Sequence, residues 1–173
     1  MKSLIALMLV TIIVNAATFP EIKGQTLADK KINLPQKTQY HLFILGFDMN
    51  SSNAMSRWVN QLNLSPSSNM NWIQIPVIGS VPPFVDGFIK GGMKNTVSEN
   101  MRANYFPYFG NKKEAILMSI HGSKELDDAV TPYIVIVSPT ANVTFSKQML
   151  ATTRNVKELL AIIEKYTINN SVK

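Results

Sequence analysis

Thiol chemistry is excluded from this chain of 173 residues, because the sequence contains no cysteine. Without cysteine there is no disulfide framework, no thiolate metal site and no thiol nucleophile. Two serines, Ser51 and Ser52, lie in a polar turn over residues 48–53 and offer hydroxyls instead. A serine hydroxyl stays protonated near neutral pH and attacks a substrate only beside a general base. Neither His41 nor His121 is connected to these serines in the sequence, so we expect no catalytic residue here.

Methionine and histidine side chains offer a second chemistry, the binding of Cu(I), which accepts thioether and imidazole ligands. Methionine at helical spacing more often fills a core, and Met55 falls on an apolar stripe with Trp58. The adjacent carboxylates of Asp127 and Asp128 diverge on most backbones and predict a solvated loop. We therefore expect no metal site and no cofactor, and we keep copper handling or a non-thiol enzyme as alternative functions. The candidate copper ligands are Met49, Met55, Met93, Met101, Met118 and His121.

Four apolar segments predict the strands that would position these residues. Three are continuous apolar runs, typical of strands buried on both faces, and the fourth alternates as a half-exposed strand. Pro76 lacks a donor for the strand ladder and predicts an edge position or a bulge. Residues 19–35 carry turn-like pieces and predict a small hairpin or an extended entry segment. The four strand segments are residues 40–47, 72–78, 132–138 and 143–146.

Helices are predicted from apolar spacing and capping patterns. Apolar residues recur at i, i+3, i+4 and i+7 over 55–62 and predict a helix with Ser51 or Ser52 as its N-cap. Asn155, followed three residues later by Glu158, resembles a capping box and predicts the start of the last helix. Residues 81–122 form an insertion between the second and third strands. Its expected helices are 84–89, 97–103 and 112–120, with an aromatic cluster at 105–109.

The order of these elements resembles the thioredoxin-like superfamily. It implies an α/β fold of three layers, with a mixed central sheet flanked by helices, over residues 17–167. Members carry their redox cysteines in the turn before the first helix and a cis-proline before the third core strand. The corresponding positions here hold Asn50–Ser51–Ser52–Asn53 and Thr131–Pro132. The resemblance therefore implies a thioredoxin-like domain without disulfide exchange or thiol peroxidase activity.

Two branches of the superfamily share further features with this chain. Residues 19–34 resemble the N-terminal extension of peroxiredoxin-like and thiol-reductase-like members. Residues 83–145 are similar to the thioredoxin-like mitochondrial ATP synthase assembly factor family, which implies binding rather than catalysis. Copper chaperones of cytochrome oxidase assembly share the fold, although their paired cysteines are absent here. The assembly-factor likeness lies in Pro83 to Phe88, Gly91–Gly92–Met93–Lys94, Met101–Arg102, and the stretch from the aromatic run 105–109 to Val137.

The thioredoxin-like resemblance also implies a candidate binding groove. It would be formed by the turn over 48–53, the loop before the third core strand and the aromatic insertion. A loop beside an exposed strand edge can hold an extended peptide through main-chain hydrogen bonds. We therefore expect a protein or peptide partner. The groove residues are Asp48, Asn50, Ser51, Ser52, Asn53, Tyr105, Tyr108, Thr131 and Pro132.

The first sixteen residues have the pattern of a secretory signal peptide. Lys2 gives a positive start, residues 4–14 are almost continuously apolar, and the small residues Ala16 and Ala17 follow. The apolar run is shorter than the ~20 residues that cross a bilayer, and an uncleaved signal anchor is the alternative. We expect an exported protein, periplasmic or secreted, with a domain at 17–167 and a flexible tail at 168–173.

The formal net charge of +6 is spread along the chain. Lys30–Lys31 and Lys112–Lys113 are the only adjacent basic pairs. A protein that binds nucleic acid would gather basic residues on one face with aromatics between them. We expect no nucleic-acid binding and at most peripheral contact with a membrane surface, and the sequence does not specify the oligomeric state.

Overall fold

A four-stranded mixed sheet lies at the centre of this computed structural model, which describes residues 17–168. The strands are β1 (Ile22–Gln25), β2 (Lys31–Leu34), β3 (His41–Gly46), β4 (Asn71–Pro76), β5 (Tyr133–Val137) and β6 (Val143–Gln148). The sheet order is β4-β3-β5-β6, with β3 and β4 parallel and the other neighbouring pairs antiparallel. The separate hairpin of β1 and β2 confirms the one expected over 19–35. The signal peptide expected at 1–16 lies outside the described residues.

Four α-helices and one 3₁₀ helix connect and cover these strands. They are α1 (Ser51–Gln61), α2 (Pro83–Thr96), the 3₁₀ helix Glu99–Asn104, α3 (Lys113–Ile120) and α4 (Thr153–Ile168). The tail expected at 168–173 lies outside the described residues except for Ile168, which ends α4. No helix between residues 17 and 168 is long and apolar enough to cross a membrane.

Two helices differ from their predicted bounds. The helix expected over 84–89 continues through Gly91–Gly92 to Thr96, and the Arg102 guanidinium donates to the Lys94 carbonyl at 2.7 Å in its last turn. A cation at the end of a helix satisfies carbonyls that have no partner within the helix. The last helix begins before Asn155, because the Thr152 hydroxyl accepts the N–H of Asn155 at 3.2 Å. The capping-box interpretation of Asn155 is therefore wrong.

Apolar cores on both faces of the sheet give the fold its three layers. Alternate residues of β3 enter each core: Phe43 and Leu45 face α3, whereas Leu42 and Ile44 face α1 and α4. All six residues of β3 are buried, which explains the continuous apolar run in the sequence. In the core that faces α1 and α4, the indole N–H of Trp58 donates to the Met149 carbonyl at 3.0 Å. This hydrogen bond connects α1 to the segment before α4.

The edge of β4 is covered by residues 105–108, which we call the edge segment. Tyr105 forms a parallel bridge with Gln74, and the N–H of Tyr108 donates to the Pro76 carbonyl at 2.8 Å. Pro76 ends β4, so its missing donor costs the ladder little and the expected edge position is confirmed. Both tyrosines are buried, because the edge segment packs its aromatic rings into the sheet instead of presenting them to solvent.

His41, at the start of β3, makes stability depend on pH. Its side chain is buried, and Nε2 has no hydrogen-bond partner. Burial lowers the pKa of the imidazole, and this effect is larger than the opposite effect of a hydrogen bond to the Gln36 backbone. Below about pH 6.5 the histidine binds a proton in the unfolded chain but not in the folded chain. The free energy of unfolding therefore decreases as the pH is lowered.

We therefore expect the free energy of unfolding to fall between about pH 6.5 and the lower pKa of folded His41. The loss is at most about 1.4 kcal/mol per pH unit. His41→Gln should remove this part of the slope in urea unfolding, whereas the control His121→Gln keeps it. Identical slopes for wild type and His41→Gln would contradict the assignment.

Candidate functional site

The candidate site lies at the end of the sheet where β3 ends and β5 begins. Leu45 of β3 pairs with Tyr133 of β5 in antiparallel register, and α1 starts five residues beyond the end of β3. This register brings the turn over 48–53 and the Thr131–Pro132 loop to the same end of the sheet. We call it the α1 end of the sheet.

Ser51 at the α1 end has no hydroxyl free for chemistry. Its side chain is 1% exposed, and Oγ donates to the Asp48 carbonyl at 2.6 Å and lies 3.8 Å from Met55 Sδ. A nucleophilic serine needs a base to take its proton, and this proton is bonded to a backbone carbonyl. Ser51 therefore holds the turn against the start of α1 and is not accessible to a partner.

The N-cap of α1 is Asn50, so the N-cap role expected of Ser51 or Ser52 is wrong. The Asn50 side chain makes no capping hydrogen bond, and Ser51 is instead the first residue of the helix. The Asp48 carboxylate accepts the N–H of Asn50 at 2.7 Å, which forms an Asx turn ahead of the helix. Asp48, Asn50, Ser52 and Asn53 are exposed and remain available for contact with a partner.

The loop before β5 is organised by Asp128. Its Oδ1 accepts the N–H of Val130 at 2.8 Å and the N–H of Thr131 at 3.1 Å. Hydrogen bonds from the Thr131 side chain and from both N–H groups hold the pKa of Asp128 below its ordinary value. Asp128 is therefore ionised near neutral pH, and the solvated loop expected for Asp127–Asp128 is present.

The main chain of this loop is already engaged within the protein. The Thr131 carbonyl accepts the Gln148 side chain at 3.0 Å, and the Pro132 carbonyl accepts the N–H of Met149 at 3.1 Å. Within residues 17–168 the cis peptide bond is Leu34–Pro35, so the cis-proline expected at Thr131–Pro132 is wrong. The Thr131 N–H donates to Asp128 and is therefore not available to a peptide. The predicted binding of a peptide through these main-chain groups has no donor in this loop.

Tyr105 and Tyr108 do not line the candidate groove. Both rings are buried in the edge segment, and burial raises the pKa of Tyr105. The apolar side chains that do reach solvent at the α1 end are Met49, which is 88% exposed, and Val130. Met49 lies within the turn over 48–53 that was predicted to form part of the groove, whereas Val130 was not predicted, although an apolar residue within a polar loop was a usable signal.

His121 and Tyr133 form a pair that the sequence did not reveal. The Tyr133 hydroxyl lies 2.7 Å from His121 Nδ1, and the Tyr133 ring meets the Phe47 ring edge-on at 6.1 Å. Burial, with Asp127 and Asp128 adding to it, raises the pKa of Tyr133, so the phenol stays protonated and can donate to His121. His121 caps the C-terminus of α3, as expected, and this contact fixes α3 against β5.

The candidate copper ligands do not gather at one place. Met55 is buried in the core beneath α1, Met49 is exposed in the turn, and Met118 is exposed on α3 across the sheet. Within residues 17–168, no group of three or more histidine, aspartate or glutamate side chains could hold a metal ion. A shared Cu(I) site would require these thioethers to converge.

The architecture is that of a thioredoxin-like fold. Similar solved structures include BsSco, a member of the Sco family of cytochrome c oxidase assembly proteins (TM-score 0.61, 12% identity, 92% of this chain and 96% of that chain). A DsbF homologue from Corynebacterium diphtheriae also matches (TM-score 0.55, 13% identity, 87% of each chain). So does the exposed lipoprotein thioredoxin Etrx1 from Streptococcus pneumoniae (TM-score 0.52, 9% identity, 80% of this chain and 99% of that chain).

These likenesses confirm the thioredoxin-like fold expected from the order of elements, and at such identities they establish the fold alone. No protein-family model matches the sequence, and no curated protein does. On this fold, the chain carries the exposed Asn50 at the N-cap of α1 and the buried Ser51 as the first residue of the helix.

Proposed function

We propose that this protein is an exported, redox-inactive thioredoxin-like protein that binds a protein or peptide partner. It would act as an assembly factor or chaperone-like module of the cell envelope. The observation that carries the proposal is Ser51, whose hydroxyl is buried and bonded to the Asp48 carbonyl where thiol relatives are expected to carry a cysteine. A scaffold kept without its reacting group is suited to binding.

The exposed side chains at the α1 end favour a partner of mixed character. Met49 and Val130 are exposed apolar groups, and the exposed carboxylates of Asp48, Asp127 and Asp128 lie in the same two loops. Apolar contacts supply affinity at an interface, and complementary charge supplies orientation. We infer that the bound segment carries an apolar side chain beside lysine or arginine.

Two further observations support an envelope assembly role. BsSco, the similar structure with a TM-score of 0.61, is itself a cytochrome c oxidase assembly protein. The apolar run at 4–14 supports export, and the likeness of residues 83–145 to the ATP synthase assembly factor family supports an assembly task. The partner would be a protein of an envelope complex that contains a segment with an apolar side chain beside lysine or arginine.

The proposal is tested by affinity capture from the native envelope with two variants of the full chain. Met49→Asp combined with Val130→Asp should lower recovery of the specific partner about tenfold or more, since two central apolar contacts are lost. The control Leu160→Asp changes an exposed leucine on α4 and should leave recovery unchanged. Equal recovery with wild type and the double variant would show that the α1 end does not bind.

A further inference from the structure

Helix α2 presents an apolar face that nothing else in the described chain covers. Phe84 and Phe88, one turn apart, are 81% and 84% exposed, and no residue of α2 is buried. Gly87 and Gly91 lie on the same face by helical spacing, and an added Cβ at either would meet nothing within 4 Å. Two exposed phenyl rings on one face mark a surface that contacts something apolar.

Lysines lie beside both ends of this face. At the end of α2, the Lys94 ammonium pairs with Asp29 at 2.7 Å, which brings the β1–β2 turn and its Lys30–Lys31 pair to the helix. Before α2, Lys113 and Lys124 line a shallow cavity with Gly79, four residues ahead of Pro83. Lysines therefore lie near the end of α2 and near the segment that leads into it.

The carboxylates near α2 pair with some of these lysines and leave others unpaired. Three carboxylates near α2 form ion pairs with lysines. The pairs are Asp86 with Lys90 at 3.1 Å, Glu114 with Lys124 at 2.8 Å, and Asp29 with Lys94 at 2.7 Å. Lys30, Lys31 and Lys113 make no ion pair within residues 17–168. The charge left over around α2 is complementary to an anionic surface.

We propose that the Phe84–Phe88 face of α2 docks on an anionic lipid bilayer. The phenyl rings would enter the boundary between headgroups and acyl chains, and the lysines at both ends would lie against the anionic headgroups. An amphipathic helix lying in the membrane interface uses this combination of aromatic insertion and basic flanks. The inference concerns a surface separate from the α1 end and does not rest on the proposed function.

The shape of α2 favours a bilayer over a protein partner. The face is open to solvent, since both phenylalanines are more than four-fifths exposed and a Cβ at Gly87 or Gly91 would meet nothing within 4 Å. A fluid bilayer adapts to an open helix face, whereas a protein partner needs matching shape. A second copy of the chain would gain little, because two phenyl rings fall far short of the ~800 Å² per partner of a stable interface.

The test is flotation of the full chain with vesicles of phosphatidylcholine alone or with about one-third phosphatidylglycerol, a proportion that supplies anionic headgroups. Binding should require phosphatidylglycerol and weaken with added salt. Phe84→Ser combined with Phe88→Ser should weaken binding at least about tenfold. The control Leu160→Ser, at an exposed apolar residue on α4, should bind as wild type does.

A second pair of variants tests the position of the charge. Lys30→Gln with Lys31→Gln should weaken vesicle binding more than Arg154→Gln with Lys157→Gln, which removes the same charge from α4. Equal losses would overturn the docking orientation. The proposal as a whole is overturned by three results: no vesicle binding, binding unchanged by the double serine variant, or self-association or capture of a protein that requires the phenylalanines while vesicles are ignored.

Discussion

A cysteine introduced at Asn50 should react with Ellman's reagent about 100-fold faster than a cysteine introduced at Ser51, on the scale set by thiolate fraction and access. Position 50 is exposed at the N-terminus of α1, where the helix dipole favours a thiolate. The Asp48 carboxylate opposes ionisation there, but access remains open. Position 51 is 1% exposed, and burial both shields a thiol and raises its pKa.

The natural sequence makes this experiment clean, since an introduced thiol is the only one in the protein. Ser52→Cys, in the exposed first turn of α1, serves as the positive control. In concentrated guanidinium the variants should react at equal rates, which separates protection by the fold from any effect of neighbouring sequence. Equal rates in the folded state would show that the side chain at position 51 reaches solvent and would remove the main support for a binding role.

Gly46→Ala should destabilise the protein by about 3 kcal/mol, as overpacking of a dense core does. A Cβ at Gly46 would clash with both Ser51 Oγ and Met55 Sδ. Moving either side chain would cost free energy, because Ser51 is hydrogen-bonded to the Asp48 carbonyl and Met55 is buried in the core beneath α1. The start of α1 would have to move away from β3, with a loss of about 10 °C in Tm.

The matched control is Gly91→Ala in the middle of α2. An added Cβ there meets nothing within 4 Å, and alanine is a better helix former than glycine. We expect a gain of about 0.5–1 kcal/mol in the free energy of unfolding. Denaturant unfolding of both variants gives the comparison. A Gly46→Ala variant as stable as wild type would mean that α1 does not approach β3 as closely as described.

The central strands and the last helix were predictable because their apolar patterns are determined by burial. The run over 40–47 reads as a strand because every residue of β3 is buried on one face or the other. Helix α2 was harder, since Gly91–Gly92 has low helix propensity and its last turn is stabilised by Arg102 from the following 3₁₀ helix. A contact of this kind is tertiary and leaves no local pattern.

The candidate groove remains a prediction, and the structure changes which side chains could line it. The layout placed the turn over 48–53 beside the loop before β5, and the Leu45–Tyr133 register agrees. The prediction that Tyr105 and Tyr108 line the groove was wrong, because both are buried. Tyrosine is found both at interfaces and in buried segments, so the residue type alone does not decide between them. The bridge between Tyr105 and Gln74 and the burial of both tyrosines distinguish the two. The His121–Tyr133 pair likewise depends on a contact between α3 and β5 that spacing alone does not specify.

The edge segment also has a consequence for aggregation. A free strand edge is a template on which another chain can add by backbone pairing. With β4 covered by residues 105–108, the central sheet offers such a template only along β6 within the part of the chain described here. The start of β6 is occupied as well, since the N–H of Val143 donates to the Ala17 carbonyl at 2.8 Å. Strand-by-strand growth between molecules would therefore have to begin on the remainder of β6, where it would have to accommodate the ion pair of Lys147 with Glu158.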